Sequence, residues 1–196
     1  MLFLGDMLFY YQPDSTDFVA NMAAATPERI VASGVCALLA AWLYTLGAGQ
    51  IYLALTLAPA WLRWLVFGSF AAIMIAYGVI HAAYVAIVVT AKNAAALGLD
   101  PATQVVLAWQ TNKFMRSLTM VQFAVFTISF IWAVLAGKTL YPRWILFFSP
   151  IILYFLKGPI VSRLEGAALV VIGGGYLNLL LLIFFVASTV ALLSKR

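Results

Sequence analysis

The chain is organised as long apolar blocks, each closed off by proline, glycine or charge: residues 30–57, 64–92, 117–137 and 162–193. Blocks of about 20 apolar residues are long enough to cross the hydrocarbon core of a bilayer. Inside that core the backbone has no water to bond, so only helices and closed barrels satisfy it. Barrel strands alternate apolar and polar residues over about 10 positions. A stretch such as residues 67–90 is instead apolar on all sides, which selects helices. Composition closes the soluble alternative: 66% of residues are hydrophobic and 9% charged, against about 45–50% and about 25% in ordinary soluble domains. A water-soluble fold of 196 residues has too little interior to hide so much apolar surface. The expected fold class is all-α, a polytopic transmembrane helix bundle.

Two further apolar stretches are short. Residues 1–11 are interrupted by Asp6, and at about 1.5 Å per residue they cover about half a bilayer. They read as a half-span or as the second part of a full one, and not as a signal peptide, since a basic leader is lacking. Residues 144–157 contain Pro150, which should kink or break a helix there. The expected count is about six membrane segments, two of them short or broken, in a single domain over residues 1–196 with no internal repeat.

Residues 12–26 form the most polar stretch, expected as a loop with a short interfacial helix starting at Pro13, Asp14 and Ser15 and presenting Phe18, Val19 and Met22. Thr26-Pro27-Glu28-Arg29 then supplies a cap, a first-turn proline and an anion at the positive end of the dipole. Asp100-Pro101 repeats that logic. It opens an amphipathic segment at 100–116, with Gln104, Gln110, Asn112, Lys113 and Arg116, expected to run along the membrane surface or project from it.

The net charge of +5 comes from basic residues flanking apolar blocks, as membrane-end anchors do. No basic run is interleaved with aromatics, so nucleic acid is not an expected partner. With six crossings, Arg63, Lys138, Arg143, Lys195 and Arg196 share one membrane side and Arg29, Lys92, Lys113, Arg116, Lys157 and Arg163 the other. This is nearly a tie under the positive-inside rule. The acids of the second side tilt the reading toward cytoplasmic termini. Membrane lipids are expected partners, and a homo-oligomer is compatible with the sequence. Cys36 is the only cysteine and His81 the only histidine, too few for the usual metal ligand sets. Neither a metal nor another cofactor is expected.

Polar groups at membrane depth are costly and mark functional sites by default. Asp6 must pair, reach a cavity or hold a proton. Tyr77, His81 and Tyr84, spaced by four and three, share one helix face, and His81 is able to accept and donate protons there. These four residues are the catalytic candidates. Asp14, Asp17, Glu28, Arg29, Lys113, Arg116, Lys157, Arg163 and Glu165 approach one membrane face in this topology, where they could close over an anionic headgroup or form a solvated ion-pair set. Gln50, Gln122 and Asn178 lie one to a span, as amides that bond across helix interfaces do. The candidates for substrate binding are Asp17, Glu28, Arg29, Gln50, Lys113, Arg116 and Asn178. Gly47-Ala48-Gly49 and Gly173-Gly174-Gly175 permit close helix approach or local unwinding.

The opening Gly5-Asp6-Met7-Leu8-Phe9-Tyr10, the polar loop with Asp17, Pro27-Glu28-Arg29 and His81-Ala82-Ala83-Tyr84 resemble a group of bacterial multi-pass membrane proteins of unknown function. The resemblance implies the bacterial inner membrane and points at Asp6 and His81. It implies no activity.

Two functional expectations follow. One is a small enzyme or binding protein for a lipid or isoprenoid-like substrate, using acid/base groups in an apolar pocket. The other is a transporter or channel subunit, for which the proline break, the triple glycine and the embedded polar groups are suited. Both require hydrocarbon as the solvent. The purified chain is therefore expected to need detergent or lipid. Size-exclusion chromatography giving a monodisperse peak in plain buffer would overturn the membrane assignment.

Overall fold

In a computed structural model of the chain, residues 1–194 are described. Lys195 and Arg196, read above as the exit of the last span, lie outside the described residues. The fold is all-α. Four helices are long and apolar enough to cross a membrane: α3 (Pro27–Ala54), α4 (Ala60–Ala96), α6 (Val106–Leu135) and α9 (Gly166–Leu193). Shorter helices are α1 (Leu2–Tyr10), α2 (Phe18–Ala24), α5 (Pro101–Gln104), α7 (Pro150–Phe155) and α8 (Lys157–Val161). The four long helices make the chain an integral multi-pass membrane protein. Their outward side chains fit that solvent: Leu46, Ile75, Ile128 and Leu182 are each between 58% and 75% exposed, which is tolerable in lipid and not as a continuous belt in water.

Local chemistry sets the boundaries. Thr26 caps α3 by accepting from the Arg29 N–H, with Pro27 in the first turn, where its missing donor is harmless. Asp100 caps α5 through the Ala102 and Thr103 amides. The start of α2 falls later than Pro13 to Ser15, because Asp17 accepts from the Val19 and Ala20 amides at 2.9 and 3.0 Å. Residues 12–15 instead close a tight turn. Pro150 does break the segment around it. A 3₁₀ turn over Arg143–Phe148 ends at Ser149, and Pro150 opens α7 at its first position. α9 carries one π-helical turn over Leu169–Gly173.

α4 is central, flanked by α3 and α6, while α1 is wedged between α3 and α9. Two cores result. A tightly packed aromatic core at one end of the bundle joins Phe70, Phe126, Phe130 and Phe184, with Phe126 and Phe130 stacked at 5.5 Å. A smaller core gathers Phe9, Met22, Ile30, Val88 and Val105 around α1 and α2.

Residues 106–135 run as one helix. The polar residues of 100–116 thus belong partly to a spanning helix, where Gln110 and Lys113 stay exposed and Asn112 is buried against α4, donating to the Ile80 carbonyl at 3.0 Å. At the same end, Arg29 donates to the Met7 and Tyr11 carbonyls at 3.3 and 2.8 Å, and buried Asn21 donates to the Tyr10 carbonyl at 2.7 Å. Lys92 donates to the Ala25 carbonyl at 2.9 Å. These bonds satisfy carbonyls that helix ends leave open.

The wedging of α1 depends on glycine. A methyl group on Gly5 would sit 3.3 Å from the Ser33 carbonyl and from Cys36. One on Gly174 would sit 3.2 Å from the Tyr10 ring, and one on Gly175 would collide with the Phe3 ring. Gly175→Ala is therefore expected to destabilise the protein by about 1–3 kcal/mol, the usual cost of overpacking. The matched control Gly49→Ala, which meets open space, should be close to neutral. Thermal unfolding in detergent checks this, and Phe3→Ala should restore much of the loss in Gly175→Ala.

Candidate functional site

Asp6 lies midway along α1, and the glycine contacts press that helix into the bundle. Its carboxylate meets two other helices. Asn178 on α9 donates from Nδ2 to Asp6 Oδ2 at 2.6 Å. His81 Nδ1 on α4 lies 3.4 Å from Asp6 Oδ1. The far side of the imidazole meets α3, with Nε2 2.9 Å from Ser33 Oγ. The Phe9 ring stacks on the imidazole at 5.2 Å. Four helices thus converge on one acid–imidazole pair.

The bonding pattern assigns the protons. A serine hydroxyl has one hydrogen. Ser33 gives it to the Gly5 carbonyl, which only accepts, at 2.7 Å. Ser33 Oγ must then accept from His81, so Nε2 carries a hydrogen. Nδ1 is left facing Asp6 Oδ1, and a proton between them, on either the carboxylate or the imidazole, would make that approach attractive. Both placements give the pair zero net charge.

A cavity of about 260 Å³ opens beside the pair. The Asp6 side chain is 16% exposed and that of His81 5%, so the carboxyl presents the more accessible surface. Tyr10, Tyr44, Tyr77, Tyr84, Trp109, Arg116, Lys157 and Asn178 also line it with polar atoms, and Leu2, Ala37, Ala41, Met74, Leu177 and Leu181 supply much of the apolar lining. Tyr84 is held edge-on by Trp109 at 5.8 Å and by Tyr10 at 6.1 Å. Its hydroxyl accepts from Arg116 Nη1 at 3.3 Å.

Six residues singled out from sequence therefore face one space: Asp6, Tyr77, His81, Tyr84, Arg116 and Asn178. The others do not line it. Asp17 caps α2, Arg29 binds the carbonyls at the end of α1, and Glu28 and Lys113 are exposed. Gln50 donates to Ser188 at 2.8 Å in a separate network, and Tyr141 joins it through Ser188 at 2.7 Å. Sequence reasoning passed over Ser33 and Tyr10 and placed Lys157 only among loop charges. A hydroxyl within the apolar α3 was the available signal for Ser33. Among the described residues, no group of three His, Cys, Asp or Glu side chains is placed to hold a metal.

His81 is the sole histidine, so a ¹⁵N-histidine spectrum reports it alone. The expected signature is a protonated Nε2 at every pH where the fold persists. Ser33→Ala should remove that preference, and Asn178→Leu should alter the Nδ1 signal through Asp6. An Nε2 without hydrogen in the unaltered protein would refute the proton assignment.

No curated protein and no solved structure matches this chain. A family model does match, over residues 1–195. The chain belongs to the family described as "Family of unknown function (DUF6796)".

Proposed function

We propose that this protein binds an amphipathic, lipid-like molecule within the membrane and acts on it by proton transfer through Asp6 and His81. The observation that carries the reading is the convergence of four helices on an acid–imidazole pair beside a partly apolar cavity. Small-molecule sites are concave, mostly apolar and furnished with a few converging polar groups. Asp6, the more accessible member, gives a proton to the bound molecule or takes one from it. As Asp6 gives its proton up, a proton on His81 Nδ1 passes to Asp6, and the reverse holds when Asp6 takes one, so the charge change of the pair is matched by the opposite change on the bound molecule. Ser33 holds the imidazole as a positioning residue. Tyr77 and Tyr84 orient a polar group of the ligand. Isomerisation, hydration or cyclisation of an isoprenoid-like chain needs proton movements of this kind.

In this reading α1 and the apolar piece Arg143–Phe155 enter the membrane part of the way. Six segments then contribute to the bundle, within a bacterial inner membrane. A half-span is the natural carrier for Asp6, because it delivers a carboxylate to the interior without taking it across.

Mass spectrometry of small molecules carried by the protein in mild detergent tests the proposal. The unaltered protein should hold a lipid-like compound at about one per chain. Ala41→Phe, which fills the cavity, should hold little. Asp6→Asn and His81→Ala should accumulate a compound related to it by proton movement or hydration, the untransformed substrate. Equal lipid content in Ala41→Phe would overturn the binding site. An identical compound on the unaltered protein and both variants would overturn the chemistry.

A further inference from the structure

The cavity has a charge excess that the acid–imidazole pair leaves uncompensated. Arg116 and Lys157 both line it, and among the described residues neither lies within 4.0 Å of a carboxylate, since the only such pair is that of His81 with Asp6. Arg116 has five N–H donors. Among the described residues its side chain makes one hydrogen bond, to Tyr84, and its remaining donors are not among the buried unpaired atoms, so they keep accessible surface on a residue that lines the cavity. The Lys157 ammonium makes no hydrogen bond among the described residues. With a proton shared between them, Asp6 and His81 together carry no net charge. The cavity lining thus carries two positive charges beside Tyr84, and apolar surface elsewhere.

Isolated cations at this depth are expensive. Arg116 is ten residues into α6, about 15 Å from its start at about 1.5 Å per residue. A bound anion removes the cost. We propose that the ligand is a phosphate ester on an apolar chain, its head between Arg116 and Lys157 and its chain along Ala37, Ala41, Met74 and Leu181. A phosphomonoester matches on two counts. Its dianion balances both cations, where a carboxylate would leave one unbalanced. Its oxygens also accept from a guanidinium fork, an ammonium and a tyrosine hydroxyl at once. At about 260 Å³ the cavity is small for a ligand site, so it takes the head and the first carbons of the chain. The inference rests on the binding reading above and names its ligand class.

The test uses the full chain in dodecyl maltoside, titrated calorimetrically with decyl phosphate, decanol and inorganic phosphate. Decyl phosphate is expected to bind at least about tenfold more tightly than either of the others, since a charge-assisted hydrogen bond contributes that much. Arg116→Gln and Lys157→Gln should each weaken decyl phosphate by about tenfold and leave decanol unchanged. Arg116→Lys should recover part of the loss. Decanol binding as tightly as decyl phosphate would overturn the phosphate assignment while leaving an apolar ligand site intact. Inorganic phosphate binding as tightly would overturn the lipid assignment in favour of a soluble anion. Unchanged affinity in both variants, or no binding of decyl phosphate at all, would also refute the inference. If Arg116→Gln fails to fold, the half-buried Lys157, which makes no hydrogen bond among the described residues, carries the test alone, with elution profile and melting temperature as controls.

Discussion

A carboxylate inside a helix bundle has to be surrounded by donors, because hydrocarbon offers none. Asp6 meets this condition with an amide from α9 and an imidazole from α4, and the imidazole is in turn held by a hydroxyl from α3. Each partner lies on a different helix, so the requirement cannot be met locally. α1 has to sit at one depth and one rotation between α3 and α9. The glycines allow this. Gly5 brings α1 against α3 and His81, and Gly174 and Gly175 bring α9 onto the rings of Tyr10 and Phe3. Close approach at small residues is a common way for helices to associate in lipid, where no hydrophobic force drives them together. The same contacts that position Asp6 hold the short helix in the bundle.

The spanning helices were legible in the sequence because hydropathy reports the solvent directly. Asp6 and His81 stood out for the same reason, as polar groups in apolar surroundings. Their mutual contact did not, since 75 positions of sequence separate them and no local period links α1 to α4. Arg29 and Asp17 carry the opposite lesson. Both are charged residues near a membrane face and suggested a headgroup site, yet each is engaged by the orphan backbone groups of a nearby helix end. Sequence shows that such a residue has a charge and not whether the backbone already uses it. Arg116 was drawn toward the surface by its polar neighbours, of which Gln104, Gln110 and Lys113 are exposed, while Asn112, docked on the Ile80 carbonyl, serves helix–helix contact.

The features that suited a transporter have other uses in the structure. Gly174 and Gly175 provide close packing against α1, Gly173 packs on Val161, and Pro150 starts α7 at a position where a proline costs no hydrogen bond. The π-helical turn over Leu169–Gly173 precedes the packed glycines, and such turns often lie near functional sites. It shifts the register of α9 just before Gly174 and Asn178, and so helps decide that Asn178, four residues further on, faces Asp6.

The unequal packing of the two ends of the bundle explains why a cavity persists beside this pair. One end is filled by rings from α4, α6 and α9 that meet edge to face or stacked, and large aromatic side chains close gaps well. Beside the pair the cavity lining includes Ala37, Ala41, Gly78 and Gly174, whose side chains are too small to fill it. Longer side chains reach in with polar tips only, those of Tyr77, Tyr84, Arg116 and Lys157. Polar tips repel an apolar filling and like charges repel each other, so the space cannot collapse without burying two cations together. An opening lined in this way is complementary to a molecule with an anionic head and an apolar chain. That asymmetry, small residues below and charged tips above, is the physical basis for expecting an occupant with one anionic end.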